Sequence, residues 1–83
     1  MMYSVIFSDK SRKQFLKLEK GVQERIVCVL ERIKLRPEAF ITKLVGDEGY
    51  KFRVVDYRIL LDIDKGRLLI LVIKIRHRKN VYD

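Results

Sequence analysis

The chain has 83 residues, 19 of them Lys or Arg and 11 Asp or Glu, for a formal charge of +8 at neutral pH. That length holds one domain spanning residues 1–83, and it leaves no room for a repeat array or a dinucleotide-binding Rossmann unit. Hydrophobic residues make up 48% of the chain, enough for a core, yet a chain this small buries only about 60% of the surface its unfolded form exposes, so modest stability is expected.

Tyr3–Phe7 is rich in β-branched and aromatic residues and reads as a short strand. Ser8-Asp9 offers a side-chain oxygen to cap a helix start. The helix expected over Lys10–Lys20 carries only Phe15, Leu16 and Leu18 among its cations, and Gly21 stands where a left-handed residue would close it. In a second helix Val22, Ile26, Val29, Leu30 and Ile33 fall on one stripe. Pro37 ends it, because the residue before a proline disfavours helical geometry. Two helices meeting at a glycine make an antiparallel hairpin that packs on something flat.

The flat element follows a connector, Glu38–Gly49. Tyr50–Val55 and Tyr57–Asp64 alternate as strands, Asp64-Lys65-Gly66 is a turn with a glycine available for positive φ, and Arg67–Arg76 is a long strand. Helices come early and strands cluster late. The fold class is therefore α+β: an N-terminal strand, an α-helical hairpin packed on an antiparallel β-sheet, and a short basic C-terminal tail.

Several function classes drop out. The longest apolar run, Leu68–Ile73, ends at Lys74, far short of the roughly 18 residues of a membrane span, and Met1–Ser8 lacks the pattern of a secretory signal. A soluble cytoplasmic protein without membrane contact is expected. Cys28 has no second cysteine to pair with. Set among Ile26, Val27, Val29 and Leu30, it reads as a reduced, half-buried filler, with the single imidazole, His77, remote in sequence. Dispersed carboxylates, of which Asp62 and Asp64 are the nearest pair, give no metal-ligand spacing, so neither metal nor cofactor is expected.

Side chains on a strand alternate between faces, so each strand sorts by parity. One set holds Phe52, Val54, Ile59, Leu61, Ile63, Leu69, Leu71, Ile73 and Ile75, suited to lie under the helices. The other holds Lys51, Arg53, Arg58, Lys74 and Arg76, with Leu60, Leu68, Ile70 and Val72 at the opposite end. A face built only for solubility mixes charge signs. An unmixed cationic face repels itself, and its natural stabiliser is a polyanion. The greasy end needs cover from a tail or a partner. The tail, residues 76–83, adds Arg78 and Lys79 as fixed cations, the imidazole of His77 and the phenol of Tyr82, extending the same cationic surface.

Lys43-Leu44-Val45-Gly46, Tyr50-Lys51-Phe52-Arg53, Asp56-Tyr57-Arg58-Ile59 and His77-Arg78-Lys79-Asn80-Val81-Tyr82 follow one another in an order and spacing that resembles the RelE branch of the RelE/ParE toxin superfamily. The resemblance runs from Tyr3 to Tyr82. It implies a type II toxin, a ribosome-dependent endoribonuclease that cuts mRNA in the ribosomal A site and is neutralised by a cognate RelB-like antitoxin. Its partners would be that acidic, amphipathic antitoxin, the ribosome and mRNA, with operator DNA engaged only through the antitoxin complex.

By the same resemblance the catalytic set falls on Lys51, Arg53, Arg58, Arg76 and Tyr82, with Arg78 the alternative to Arg76, and further RNA contacts fall on Lys74, His77, Arg78 and Lys79. Val55-Asp56 stands where relatives usually carry a glycine before the Tyr-Arg pair. Two other functions compete: a ParE-like inhibitor of DNA gyrase without nuclease activity, and a non-catalytic nucleic-acid-binding module.

Overall fold

The computed structural model describes residues 2–44 and 49–78. Its elements are β1 (Ser4–Phe7), α1 (Asp9–Leu16), α2 (Lys20–Leu35), α3 (Pro37–Phe40), β2 (Thr42–Lys43), β3 (Tyr50–Val54), β4 (Tyr57–Asp64) and β5 (Leu69–His77). The strands form one mixed sheet in the order β1-β5-β4-β3-β2. β3, β4 and β5 make the expected antiparallel meander, β2 extends it through two residues of pairing, and β1 lies parallel to β5. The class is α+β, as the order of helices and strands predicts.

The stripe on α2 packs as its spacing dictates. Ile26, Leu30 and Ile33 are buried, and they meet Phe52, Val54, Ile59, Leu61, Ile70, Val72 and Ile75 of the sheet. Each such side chain contributes about 1.5–3 kcal/mol on burial. Ser8 caps α1, its Oγ accepting the amide of Ser11 at 3.1 Å. Leu35 is the last residue of α2, and Pro37 opens α3 at a first-turn position that needs no N–H donor.

Local expectations fail in four places. Gly21 does not close α1; it lies inside the first turn of α2, and the chain reverses through Lys17–Glu19, with the amides of Lys17 and Leu18 bonded to the carbonyls of Gln14 and Phe15. The connector Glu38–Gly49 holds the last three residues of α3 and all of β2. Gly66 is not the left-handed residue of the β4–β5 turn; Leu68 is, at φ 55°. Cys28 is exposed, because it lies off the buried stripe on α2.

The largest correction concerns β5. Leu60 pairs with Lys74 but Leu61 pairs with Val72, so Ile73 has no partner and forms a bulge. The extra residue reverses the alternation on its N-terminal side. Ile70 and Val72, expected on the open face, are fully buried, whereas Leu71 and Ile73, expected under the helices, are each 40% exposed.

Side chains of the N-cap Ser8 and of α1 hold the bulge. β1 stops at Phe7, opposite Val72. Beyond it Ser8 Oγ donates to the carbonyl of Ile73 at 2.7 Å, buried Ser11 Oγ donates to the carbonyl of Val72 at 2.8 Å, and Gln14 Oε1 accepts the amide of Ile75 at 2.7 Å. Three polar side chains thus replace the strand that ends.

Candidate nucleic-acid interface

The register of the meander sets the site. Arg53 on β3 pairs with Arg58 on β4, which pairs with Arg76 on β5, so three arginines form one row across three strands. In the next row Lys51 pairs with Leu60, which pairs with Lys74. Neighbours within a row lie about 5 Å apart at Cβ, and the rows are about 7 Å apart along the strands. The flanking residues Phe52, Val54, Ile59 and Ile75 are buried on the opposite side, so all five cations face away from the helices.

The ion pairs among the described residues, Glu31–Lys34, Glu38–Lys65 and Asp64–Arg67, engage none of these five. Asp64 also accepts the Arg67 amide, and Asp62 accepts the amide of Ile63, so these two carboxylates serve the other end of the sheet. Among the described residues no group of His, Cys, Asp and Glu could hold a metal ion.

Arg53, Arg58 and Arg76 line a cleft of about 450 Å³ together with Val55, Asp56, Tyr57, His77 and Arg78. Lys51 and Lys74 lie one row outside it on the same face. His77 continues β5 opposite Tyr57, and the two rings meet edge to face at 4.9 Å and 84°. The exposed Arg78 begins the tail, its amide donating to the carbonyl of Asp56 at 2.7 Å. That bond ties the end of β5 to the β3–β4 hairpin loop. Lys79 and Tyr82 lie outside the described residues, as do Val45 and Gly46.

The hairpin loop Val55-Asp56 contributes two groups that sequence reasoning did not assign to the site. Asp56 is an acidic residue lining the arginine cleft. Val55 sits at φ 55°, a left-handed conformation unusual for a β-branched side chain, and it is 58% exposed. Their position between Arg53 and Arg58 was the available signal.

The apolar part of the open face also differs from expectation. Leu71 and Ile73 on β5 join Ile6 on β1, which pairs with Leu71, as an exposed apolar band beside the half-buried Leu60.

A helical hairpin on one side of a five-stranded mixed sheet, with a cationic row on the other side, is the architecture of a RelE-type toxin. The toxin chain of the intact E. coli RelBE toxin–antitoxin complex matches with a TM-score of 0.80 at 25% identity, over 90% of this chain and 95% of that one. A mutant of E. coli RelE in complex with an antitoxin RelBc peptide matches at 26% identity and a TM-score of 0.77, over 99% and 92%. A chain of the Mycobacterium tuberculosis RelBE2 toxin–antitoxin complex shares the fold at 22% identity and a TM-score of 0.82, over 94% and 100%. No curated protein sequence matches. Over residues 5–82 the chain matches the ParE toxin family of type II toxin–antitoxin systems, and it belongs to that family.

Proposed function

We propose that this toxin is a ribosome-dependent endoribonuclease that cleaves mRNA in the ribosomal A site and is held inactive by a cognate RelB-like antitoxin. One observation carries the reading: the row Arg53–Arg58–Arg76 on the open face of the sheet, without an ion-pair partner among the described residues. A row of adjacent guanidiniums is self-repelling, and it suits a phosphodiester whose charge increases during reaction.

In this mechanism the 2′-oxygen of the message attacks the adjacent phosphorus while the bond to the 5′-oxygen breaks. The 2′-hydroxyl proton passes to a base and the leaving 5′-oxygen takes up a proton, giving a 2′,3′-cyclic phosphate and a 5′-hydroxyl. Arg58 and Arg76 hold the non-bridging oxygens as their charge grows, and Arg53 neutralises the neighbouring phosphate. Lys51 and Tyr82 are the candidates for the proton acceptor. Lys74, His77, Arg78 and Lys79 extend the grip along the RNA backbone.

The antitoxin has to cover both parts of the open face, with acidic residues over the arginine row and apolar ones over Ile6, Leu71 and Ile73. The toxins of the two E. coli structures are bound by antitoxin chains, RelB and a RelBc peptide.

A second reading, inhibition of DNA gyrase without RNA cleavage, is favoured by the match to the ParE family. Two assays separate them. Nuclease action predicts cut message in a translating extract and unimpaired supercoiling by purified gyrase, whereas gyrase action predicts intact message and blocked supercoiling.

A further inference from the structure

Helix α2 carries Arg25, Cys28 and Arg32 at i, i+3 and i+7, one exposed stripe beside the β3–β4 hairpin. With Val29 of α2 and Arg53, Val54 and Val55 of the hairpin they line a second cleft of about 300 Å³. Arg53 lines both clefts. Among the described residues no carboxylate lines the second one and none of its three arginines is in an ion pair.

Arginines with no ion-pair partner among the described residues, set beside valines, offer charge for phosphates and apolar surface for a ribose or base. An acidic peptide could meet the charge, but the shared Arg53 favours RNA. A strand leaving the arginine row at Arg53 is already at the mouth of the second cleft, and β2, which pairs only with Tyr50 and Lys51, does not flank this part of β3.

We infer that the RNA-binding surface turns over the hairpin tip and continues into this cleft, Arg25 and Arg32 each holding one backbone phosphate. The inference rests on the nuclease reading and deepens it. The ligand chemistry is the sugar–phosphate backbone of RNA, supplied by the message itself or by ribosomal RNA.

Cys28, the single cysteine of the chain and exposed between the two arginines, is a built-in reporter. Its alkylation by iodoacetamide is followed in the full-length toxin with a short single-stranded RNA oligonucleotide, with 70S ribosomes, and with polyglutamate. The expected result is slowing of alkylation in proportion to the bound fraction. Protection by the oligonucleotide assigns the message, and protection by ribosomes alone assigns ribosomal RNA. In the double variant Arg25→Gln, Arg32→Gln that protection is lost, and the slope of log K against log salt for the oligonucleotide falls by about 1.4, at about 0.7 per phosphate.

RNA binding that depends on Arg58 while Cys28 reacts at its free rate overturns the inference and leaves the nuclease reading standing. Protection that survives in the double variant, or that polyglutamate gives and RNA does not, overturns it as well. Absence of any Arg58-dependent RNA binding, to oligonucleotide or ribosome, overturns both.

Discussion

Arg58 lies directly opposite Arg76 on the neighbouring strand, and both side chains are half-buried on the open face of the sheet with no carboxylate paired to either among the described residues. Like charges in that arrangement oppose folding. Arg58→Gln therefore raises stability by about 0.2–1 kcal/mol at low salt. The gain shrinks at high salt, where the repulsion is already screened. Denaturant melts at two ionic strengths check this; a loss of stability at low salt would mean that Arg58 has an internal partner.

The bulge at Ile73 is predicted to depend on α1. Gln14→Leu leaves the Ile75 amide without its acceptor and costs about 1–3 kcal/mol. Hydrogen exchange at the Ile75 amide should accelerate more than exchange at Ile59, its neighbour on the meander side. Because a one-residue slip turns Lys74 and Arg76 toward the helices, RNA cleavage should fall along with stability. Equal acceleration at both amides would show that Gln14 does not hold the bulge.

This bulge also marks where the sequence stops being legible. The five cations of the open face sort correctly because each strand segment carrying them alternates with apolar residues: Lys51 and Arg53 with Phe52 and Val54, Arg58 with Ile59, Lys74 and Arg76 with Ile75. Leu68–Ile73 has no polar residue to mark parity, so an inserted residue within it leaves no trace in the pattern. Its cause lies sixty positions away, in Ser8, Ser11 and Gln14, whose bonds span 61 to 65 residues. Three polar side chains at a spacing of three on one helix face were the available clue. The parallel pairing of β1 with β5 is equally long-range, and β2 is too short to register as a strand.

Val55 holds a left-handed backbone that favours Asn or Gly, and more than half of its surface is exposed, so its side chain contributes little burial in exchange. Val55→Asn should raise stability by about 1 kcal/mol. Thermal denaturation checks the prediction; an unchanged or lower melting temperature would mean that the contacts of Val55 outweigh its strain.

The base of the proposed reaction is resolved by two substitutions. If the Tyr82 phenolate takes the proton, Tyr82→Phe lowers the cleavage rate about a hundred- to ten-thousandfold and removes one limb of the pH–rate profile, while Lys51→Ala lowers the rate without reshaping it. The reverse pattern assigns the role to Lys51. Full activity of Tyr82→Phe limits that ring to stacking or packing.

The most direct measurement is mapping of message 5′-ends in a translating extract, comparing the wild-type toxin with the variant Arg53→Gln, Arg58→Gln, Arg76→Gln. We predict discrete ribosome-dependent cuts with the wild type and none with the variant, which still folds. Removing even one such transition-state donor costs about a hundred- to a thousandfold in rate. Cutting by the folded variant at the wild-type rate, or intact message alongside blocked gyrase supercoiling with the wild type, would contradict the account.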